Sequence, residues 1–189
     1  QDEFNRAVNE MAEMNTDWFD ILCHNSFSHD HSVSVSGGSD KIRYYASLGY
    51  TDQDDVIKNT TNRRYTGMAK LDIQLMKRLD LALNINGYHN DREYNVGEIN
   101  PTDYAYNTSR AIPAFNKDGS YYYYKKNTSS LSAGYLNYNI LNELDNSGQT
   151  QAVNNIMATA NLHFQPLQWL HFNGILSLNS SFSSTDILY

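Results

Sequence analysis

The densest gathering of metal-ligand residue types lies near the N-terminus, where Cys23, His24, His29, Asp30 and His31 supply thiol, imidazole and carboxylate groups. Structural zinc sites take such ligands in pairs at a recurring spacing. No pair spacing recurs here and the residues straddle the start of a strand, so polar lining is expected rather than a metal centre. Asp52, Asp54 and Asp55 offer hard oxygen ligands of the kind calcium prefers. The spacing, glycine and closing glutamate of a calcium loop are missing, which leaves a solvated acidic turn. The strongest binding candidate is Tyr121, Tyr122, Tyr123 and Tyr124, placed just after Asp118-Gly119-Ser120. Such rings can stack on sugars, dock a protein lid, or simply pack against neighbouring loops. No glycine-rich phosphate loop, paired-cysteine motif or recognisable Ser-His-Asp spacing occurs, and Glu143 with Asp145 reads as a solvated turn. An enzyme is not expected, nor is a cofactor or a bound metal.

The elements that must carry these residues are strands. Residues 64–76 (RYTGMAKLDIQLM) alternate Tyr65, Gly67, Ala69, Leu71, Ile73 and Leu75 with Arg64, Thr66, Lys70, Asp72 and Gln74. Residues 79–91 set Leu79, Leu81, Leu83, Ile85 and Gly87 against Asp80, Asn84 and Asn86. Only Lys77-Arg78 separates the two. Successive side chains of a strand point to opposite faces, so this is a hairpin with one greasy and one wet surface. Each strand exceeds the ~5–6 residues usual in soluble sheets and suffices for a bilayer crossing, which takes ~9–11 tilted residues.

The same rhythm extends to both sides. Val33 and Val35 alternate with Ser32, Ser34 and Ser36, and Gly37-Gly38-Ser39-Asp40 supplies a tight turn. Residues 41–51 return with Ile42, Tyr44, Ala46, Leu48 and Tyr50 on one face. Residues 153–165 and 169–182 form a second long hairpin, with Pro166-Leu167 expected as its turn. Residues 52–63 and 92–149 are read as loops, with a helical turn or two expected within 136–144. All three prolines are expected outside strands. Residues 2–15 place Phe4, Ala7, Val8, Met11 and Ala12 at helical spacing, and Asn15-Thr16-Asp17 marks the stop. Residues 18–27 fit either a strand or a continued helix.

Composition narrows the classes. The 189 residues carry a net charge of −7, which disfavours nucleic acid and anionic membrane surfaces as partners. Mean hydropathy is −0.61 and no apolar run approaches ~18 residues, which excludes a transmembrane helix but not a barrel. Tyrosine dominates the aromatics, 15 against 7 Phe and 2 Trp, a choice that suits interfaces between apolar and wet media. The lone Cys23 permits no internal disulfide. Gln1 opens the chain without methionine or a signal peptide, which reads as a piece of something longer.

Connections alternate short and long, as in outer-membrane barrels. A soluble β-sandwich would also alternate, but its inner face needs bulk. Here the apolar faces include Gly67, Ala69, Gly87, Ala158, Ala160 and Gly174. Lipid tails accommodate such small residues without a void. Tyr50, Tyr65 and Phe164 are in phase for interfacial girdles, whereas Trp169 is not. The expected fold is therefore all-β, with antiparallel up-and-down hairpins forming part of a large transmembrane barrel after a short N-terminal helix. A soluble extracellular β-sandwich that binds glycans, or acts as an adhesin, is the alternative.

Several stretches carry a family likeness: NTDWF at 15–19, HSVSVSGGSDKIRYYASLGYTDQDDVIKN at 31–59, TSRAIPAFNKDGSYYYY at 108–124, NILNELDNS at 139–147 and ANLHFQPLQWLHFNG at 160–174. From about Asn15 onward the chain resembles the SusC/RagA family, the TonB-linked outer-membrane transporters of Bacteroidetes. Asp55 and Asn59 depart from it, standing where such proteins commonly carry glycine. The resemblance implies a barrel of about 22 strands, a plug, a SusD-like surface lipoprotein as lid, and energy from the TonB complex. It further implies location in the bacterial outer membrane, contact with membrane lipid, and import of an oligosaccharide or peptide. Residues 1–16 would be a linker helix from plug to barrel, and 17–189 the N-terminal part of the barrel with extracellular loops at 52–63 and 92–149. The plug and the TonB box would lie outside this stretch. With the short turns periplasmic, residues 32–37 descend, and an ascending strand is expected among residues 18–27. The polar wall next to the plug would consist of Thr66, Lys70, Asp72, Asn84, Asn86, Asn161 and His163.

Overall fold

The computed structural model describes residues 1–96, 99–127 and 135–188. Six strands form one antiparallel sheet in the order β1 (Ser28–Gly38), β2 (Ile42–Asp54), β3 (Thr61–Met76), β4 (Leu79–Tyr94), β7 (Gly148–Leu167) and β8 (Leu170–Leu188). A two-stranded ribbon, β5 (Tyr124–Asn127) with β6 (Tyr135–Tyr138), lies in the long connection. Four helices complete the described chain: α1 (Asp2–Glu13), α2 (Trp18–Leu22), α3 (Pro101–Asn107) and α4 (Ile140–Asn146).

Register turns the alternation of each strand into rows across the sheet. Leu48, Gly67, Gly87 and Ile156 fall in one row, and Ala46, Ala69, Ile85, Ala158 and Leu178 in the next. Below them lie Tyr44, Leu71, Leu83, Ala160 and Leu176, then Ile42, Ile73, Leu81, Leu162 and Gly174. A one-residue slip in any strand would break every row, because the side-chain period is two.

Aromatic rings close this apolar band at both ends. At the long-loop end, Tyr50 and Tyr65 lie 5.0 Å apart by ring centroid, and His31, paired to Tyr50, extends the row. At the short-turn end, Phe164 and Phe172 are 6.3 Å apart. Roughly ten residues of strand separate the two girdles; at ~3.4 Å each and a tilt of ~40° they span about 26 Å, close to the ~25 Å apolar band of membrane barrels.

No second layer covers the band among the described residues. Leu48 is 66 %, Ile85 51 %, Leu176 74 % and Leu178 64 % exposed, and the six strands pack only on their neighbours. A β-sandwich must seal this face, so the soluble-module alternative fails. The fold is the expected one, a stretch of antiparallel barrel wall.

Several sequence expectations need correction. The segment expected to hold an ascending strand, 18–27, has none and is helical in its first half: Asp17 accepts from the backbone N–H groups of Phe19 and Asp20 and starts α2, whose Trp18 and Leu22 are buried. Capping and burial outweigh the β-compatible residues there. The strand nature of 52–54, 61–63, 92–94 and 148–152 was hidden by polar residues, because ladder hydrogen bonds continue beyond the apolar band. The loop between β2 and β3 is thus only 55–60. Pro166 lies inside β7, at a register shift between Phe164 and Leu167 where no ladder N–H is needed. The turn is Gln168-Trp169, so Trp169 falls out of phase because it belongs to no strand. At the first turn, a Cβ on Gly38 would collide with the Ile42 carbonyl oxygen, so only glycine fits.

Placing a cation in the middle row tests which medium this face meets. Leu178→Arg is expected to cost about 2–4 kcal/mol in the unfolding of the bilayer-inserted transporter by denaturant. Ser177→Arg, one residue away on the opposite face, is expected to change the midpoint little.

Candidate functional site

The only buried core among the described residues lies not in the sheet but in the connections above its long-loop end. Trp18, Leu22, Tyr104, Ala105, Ala114, Tyr138, Ile140 and Leu144 form one cluster. Trp18 meets Tyr104 edge-on at 4.9 Å, and its indole N–H donates to the Ser109 carbonyl at 3.3 Å. The 55–60 loop is sewn to the same cluster, with Lys58 N–H donating to the Leu22 carbonyl and His24 N–H to that of Val56. Asn59 adopts φ 64°, a left-handed conformation that asparagine tolerates, and its amide reaches the Leu144 carbonyl at 3.4 Å. Glycine would adopt that conformation without steric cost.

Asn139 organises the cluster. It is 2 % exposed, and its amide donates to the carbonyls of Ala114 (2.9 Å) and Tyr122 (2.8 Å). Its side-chain oxygen accepts from the N–H groups of Leu141 and Asn142 and so starts α4. One amide thereby fixes the tyrosine segment against a helix. At the cluster edge, Arg110 pairs with Asp17 at 2.6 Å and reaches Asn15 at 3.2 Å. The Asp20 backbone N–H, and then Arg110, hold the Asp17 carboxyl below its ordinary pKa.

The four candidate tyrosines do different things. A turn with Gly119 at φ 85° delivers them, its Asp118 carboxyl held low by the Ser120 hydroxyl and N–H. Tyr121 stacks on Phe115 at 5.7 Å and donates its hydroxyl to Asp145, a bond that raises the phenol pKa. Tyr122 is held by its backbone, its N–H donating to the Ala114 carbonyl at 3.1 Å. Tyr124 packs on the core and meets Tyr138 edge-on at 6.1 Å; burial raises the Tyr138 phenol. Tyr123, 47 % exposed, presents the most open ring of the four.

The histidine and aspartate groups disperse, and the polar lining expected of them does not hold for His29 and His31. His24 faces Asp54 at 2.8 Å, and Cys23 pairs with Ile57 through backbone alone. His29 and His31 pack edge-on at 5.0 Å on the apolar side, while Asp30 points to the other face. Asp52 accepts from the Tyr50 hydroxyl at 2.9 Å, and Asp55 from the Ile57 N–H. No group of three metal-binding side chains forms among the described residues.

The polar face carries what sequence reasoning missed. The residues expected on the wall do share it: Lys70 is paired with Asn84, Thr66 with Tyr88, and Asp72 through Ala82 to Asn161. Just beneath the 55–60 loop lies a cavity of about 620 Å³ lined by Asn62, Arg64, Tyr88, Asn90, Arg92 and Gln151 among others. The Arg64 guanidinium lies 4.4 Å over the Tyr88 ring. Asn139 and Asp17 had a readable signal, a capping residue immediately before an apolar run. The arginine cavity had none, because it depends on register between strands.

Comparison with known proteins shows what this geometry is similar to. The chain is 33% identical over 108 residues to TonB-dependent receptor P26 of Formosa agariphila, covering 57% of this chain and 10% of that protein. It is 39% identical over 62 residues to TonB-dependent receptor SusC of Bacteroides thetaiotaomicron, covering 33% of this chain and 6% of that one. The resemblance to the SusC/RagA transporters stands. No family model matches. Among solved structures, the RagAB peptide importer in its closed-closed state superposes with a TM-score of 0.72 over 93% of this chain at 18% identity, and the chain spans 20% of it. The SusC-like sheet is thus an outer-membrane barrel wall.

The amide keystone gives a clean test of how the mouth is held. Asn139→Ala is expected to destabilise the loop cluster by about 2 kcal/mol, seen as faster hydrogen exchange in α4 and around Tyr122. Exchange in β3 and β4 should not change.

Proposed function

We propose that this chain forms wall and mouth of a TonB-dependent outer-membrane importer of oligomeric nutrients, glycans or peptides. The observation that carries the reading is the uncovered apolar face running through six strands between two aromatic girdles. Such a face needs lipid, and the similarity to TonB-dependent receptors supplies the class of machine. Residues 17–189 are barrel wall with extracellular connections at 55–60 and 95–147. Residues 1–16 are a linker helix, which meets the wall at the mouth because Thr16 N–H donates to the Arg110 carbonyl there.

In this reading the wall residues do no bond chemistry. The mouth captures an oligomer, a SusD-like surface lipoprotein closes over it, and TonB displaces a plug that the rest of the protein supplies. Tyr123 contacts substrate or lid, while Tyr121, Tyr122 and Tyr124 set its position. The polar face, rich in serine, threonine and asparagine, lets the oligomer pass with hydrogen bonds that exchange easily for water.

Trypsin added to intact cells is expected to cut the transporter after Lys58 or Lys117 and to spare Lys77-Arg78; the reverse pattern overturns the topology. Uptake of labelled oligomer should stop when the proton gradient is collapsed. Tyr123→Ala is expected to weaken capture about three- to tenfold, measured by binding to cells, with the yield of folded barrel unchanged.

A further inference from the structure

Resting on the importer reading, we infer that the cavity floor formed by Arg64 and Arg92 is a binding site for a single carboxylate of the passing oligomer. Elsewhere in the chain, Arg110 pairs with Asp17 at 2.6 Å, Arg63 lies 3.7 Å from Asp52, and Arg78 donates to the Pro166 carbonyl. Arg64 and Arg92 form no ion pair within the described residues.

Instead each lies over a tyrosine, Arg64 on Tyr88 at 4.4 Å and Arg92 on Tyr94 at 5.5 Å. Stacking occupies the flat face of a guanidinium and holds it in orientation. Its N–H edge remains available, and that edge is the part that matches a carboxylate in bidentate fashion. Ordering the side chain beforehand also removes part of the entropy that capture would otherwise cost.

Register places the two cations at diagonal positions of neighbouring strands. Arg64 is paired with Asn90, and Arg92 with Asn62, so they sit in adjacent rows of neighbouring strands on the same face. Both line the 620 Å³ cavity, with the side-chain amide of Asn90 between them to bond the neutral part of a ligand. Three acids, Asp54, Asp55 and Glu93, line the same cavity, with Asp54 held by His24 at 2.8 Å. Acids beside the two arginines favour a ligand with one carboxylate on an otherwise neutral chain over a polyanion.

The test uses the full-length transporter in detergent, with two matched pairs of fluorescent probes. One pair is a tripeptide with a free or amidated C-terminus; the other is a neutral oligosaccharide ending in a uronic acid or in its methyl ester. Wild type is expected to bind the free acid of at least one pair about tenfold more tightly than its neutral twin, and the responding pair names the source of the carboxylate. Arg64→Gln with Arg92→Gln should abolish the preference while leaving affinity for the neutral twin unchanged. Arg63→Gln, next in sequence but on the opposite face, should keep it. A wild type indifferent to charge in both pairs overturns the site, as does a preference that survives the double substitution or falls equally in Arg63→Gln. Uptake of the neutral twins by cells, driven by the proton gradient, is scored separately: its presence without any acid preference sinks only the site, and its absence sinks the importer reading.

Discussion

Within hydrocarbon no water is available to satisfy a backbone N–H or C=O, so each must find a partner along the ladder. That requirement explains the strand lengths of 11 to 20 residues, far above those of soluble sheets, and the nearly unbroken register across five strand pairs. It also explains why glycine and alanine are tolerated in the apolar rows. A Cβ on Gly67 would meet only a Leu48 methyl at 3.7 Å, so nothing there demands glycine for packing. Lipid fills whatever the side chain leaves. The same ladder leaves β1 and β8 with one neighbour each among the described strands, so the sheet is a section of wall rather than a closed unit.

Separation of the stabilising terms follows. The sheet holds itself by ladder hydrogen bonds and by lipid on its greasy side. The mouth has an ordinary protein core, with Trp18, Leu22, Ile140 and Leu144 nearly inaccessible. Asn139 joins distant segments through four hydrogen bonds. Because the core is anchored to the tips of β2, β3 and β4 through the 55–60 loop and Asn95, its geometry is inherited from the wall. The mouth can therefore rearrange locally without disturbing the membrane-spanning rows.

How much of this was legible follows from the physical range of each signal. Alternation is local, so the rows through Gly67, Ala69, Leu71 and Ile73 could be read residue by residue, and so could the girdle positions of Tyr50, Tyr65 and Phe164. Strand ends beyond the apolar band could not, because Asp52, Gln53 and Arg92 look like loop residues while their backbones remain paired. The helix at Trp18–Leu22 was ambiguous because five apolar-rich residues fit either period, and only burial against Tyr104 decides it. The tyrosine run was visible as a feature, but its division into one open ring and three fastened ones depends on Phe115, Asn139 and Asp145, which lie apart in sequence. The meeting of Arg64 with Tyr88 required the pairing of two strands, which no single-strand pattern states.

The distribution of charge on the polar face bears on how a wall can both select and release. Below the arginines, the rows through Ser34, Ser47, Asn86 and Asn179, and then through Ser36, Asn84, Thr159 and Ser177, are almost entirely neutral, with Lys70 the exception. Neutral amides and hydroxyls exchange a bond to the cargo for a bond to water at little net gain. A wall of strong sites along the whole path would hold its cargo; a conduit must bind well enough to admit and weakly enough to let go. In the importer proposed above, cations concentrated beside the 55–60 loop would put recognition at the entrance and leave the descent nearly flat in energy. Charges return only near the short turns, where Arg43 and Asp72 are paired residues and Asp80 lies opposite His163. There the Arg43 and Asp72 charges oppose each other. On the importer reading, selection at the top and indifference below is the arrangement expected when the energy for release comes from outside the barrel.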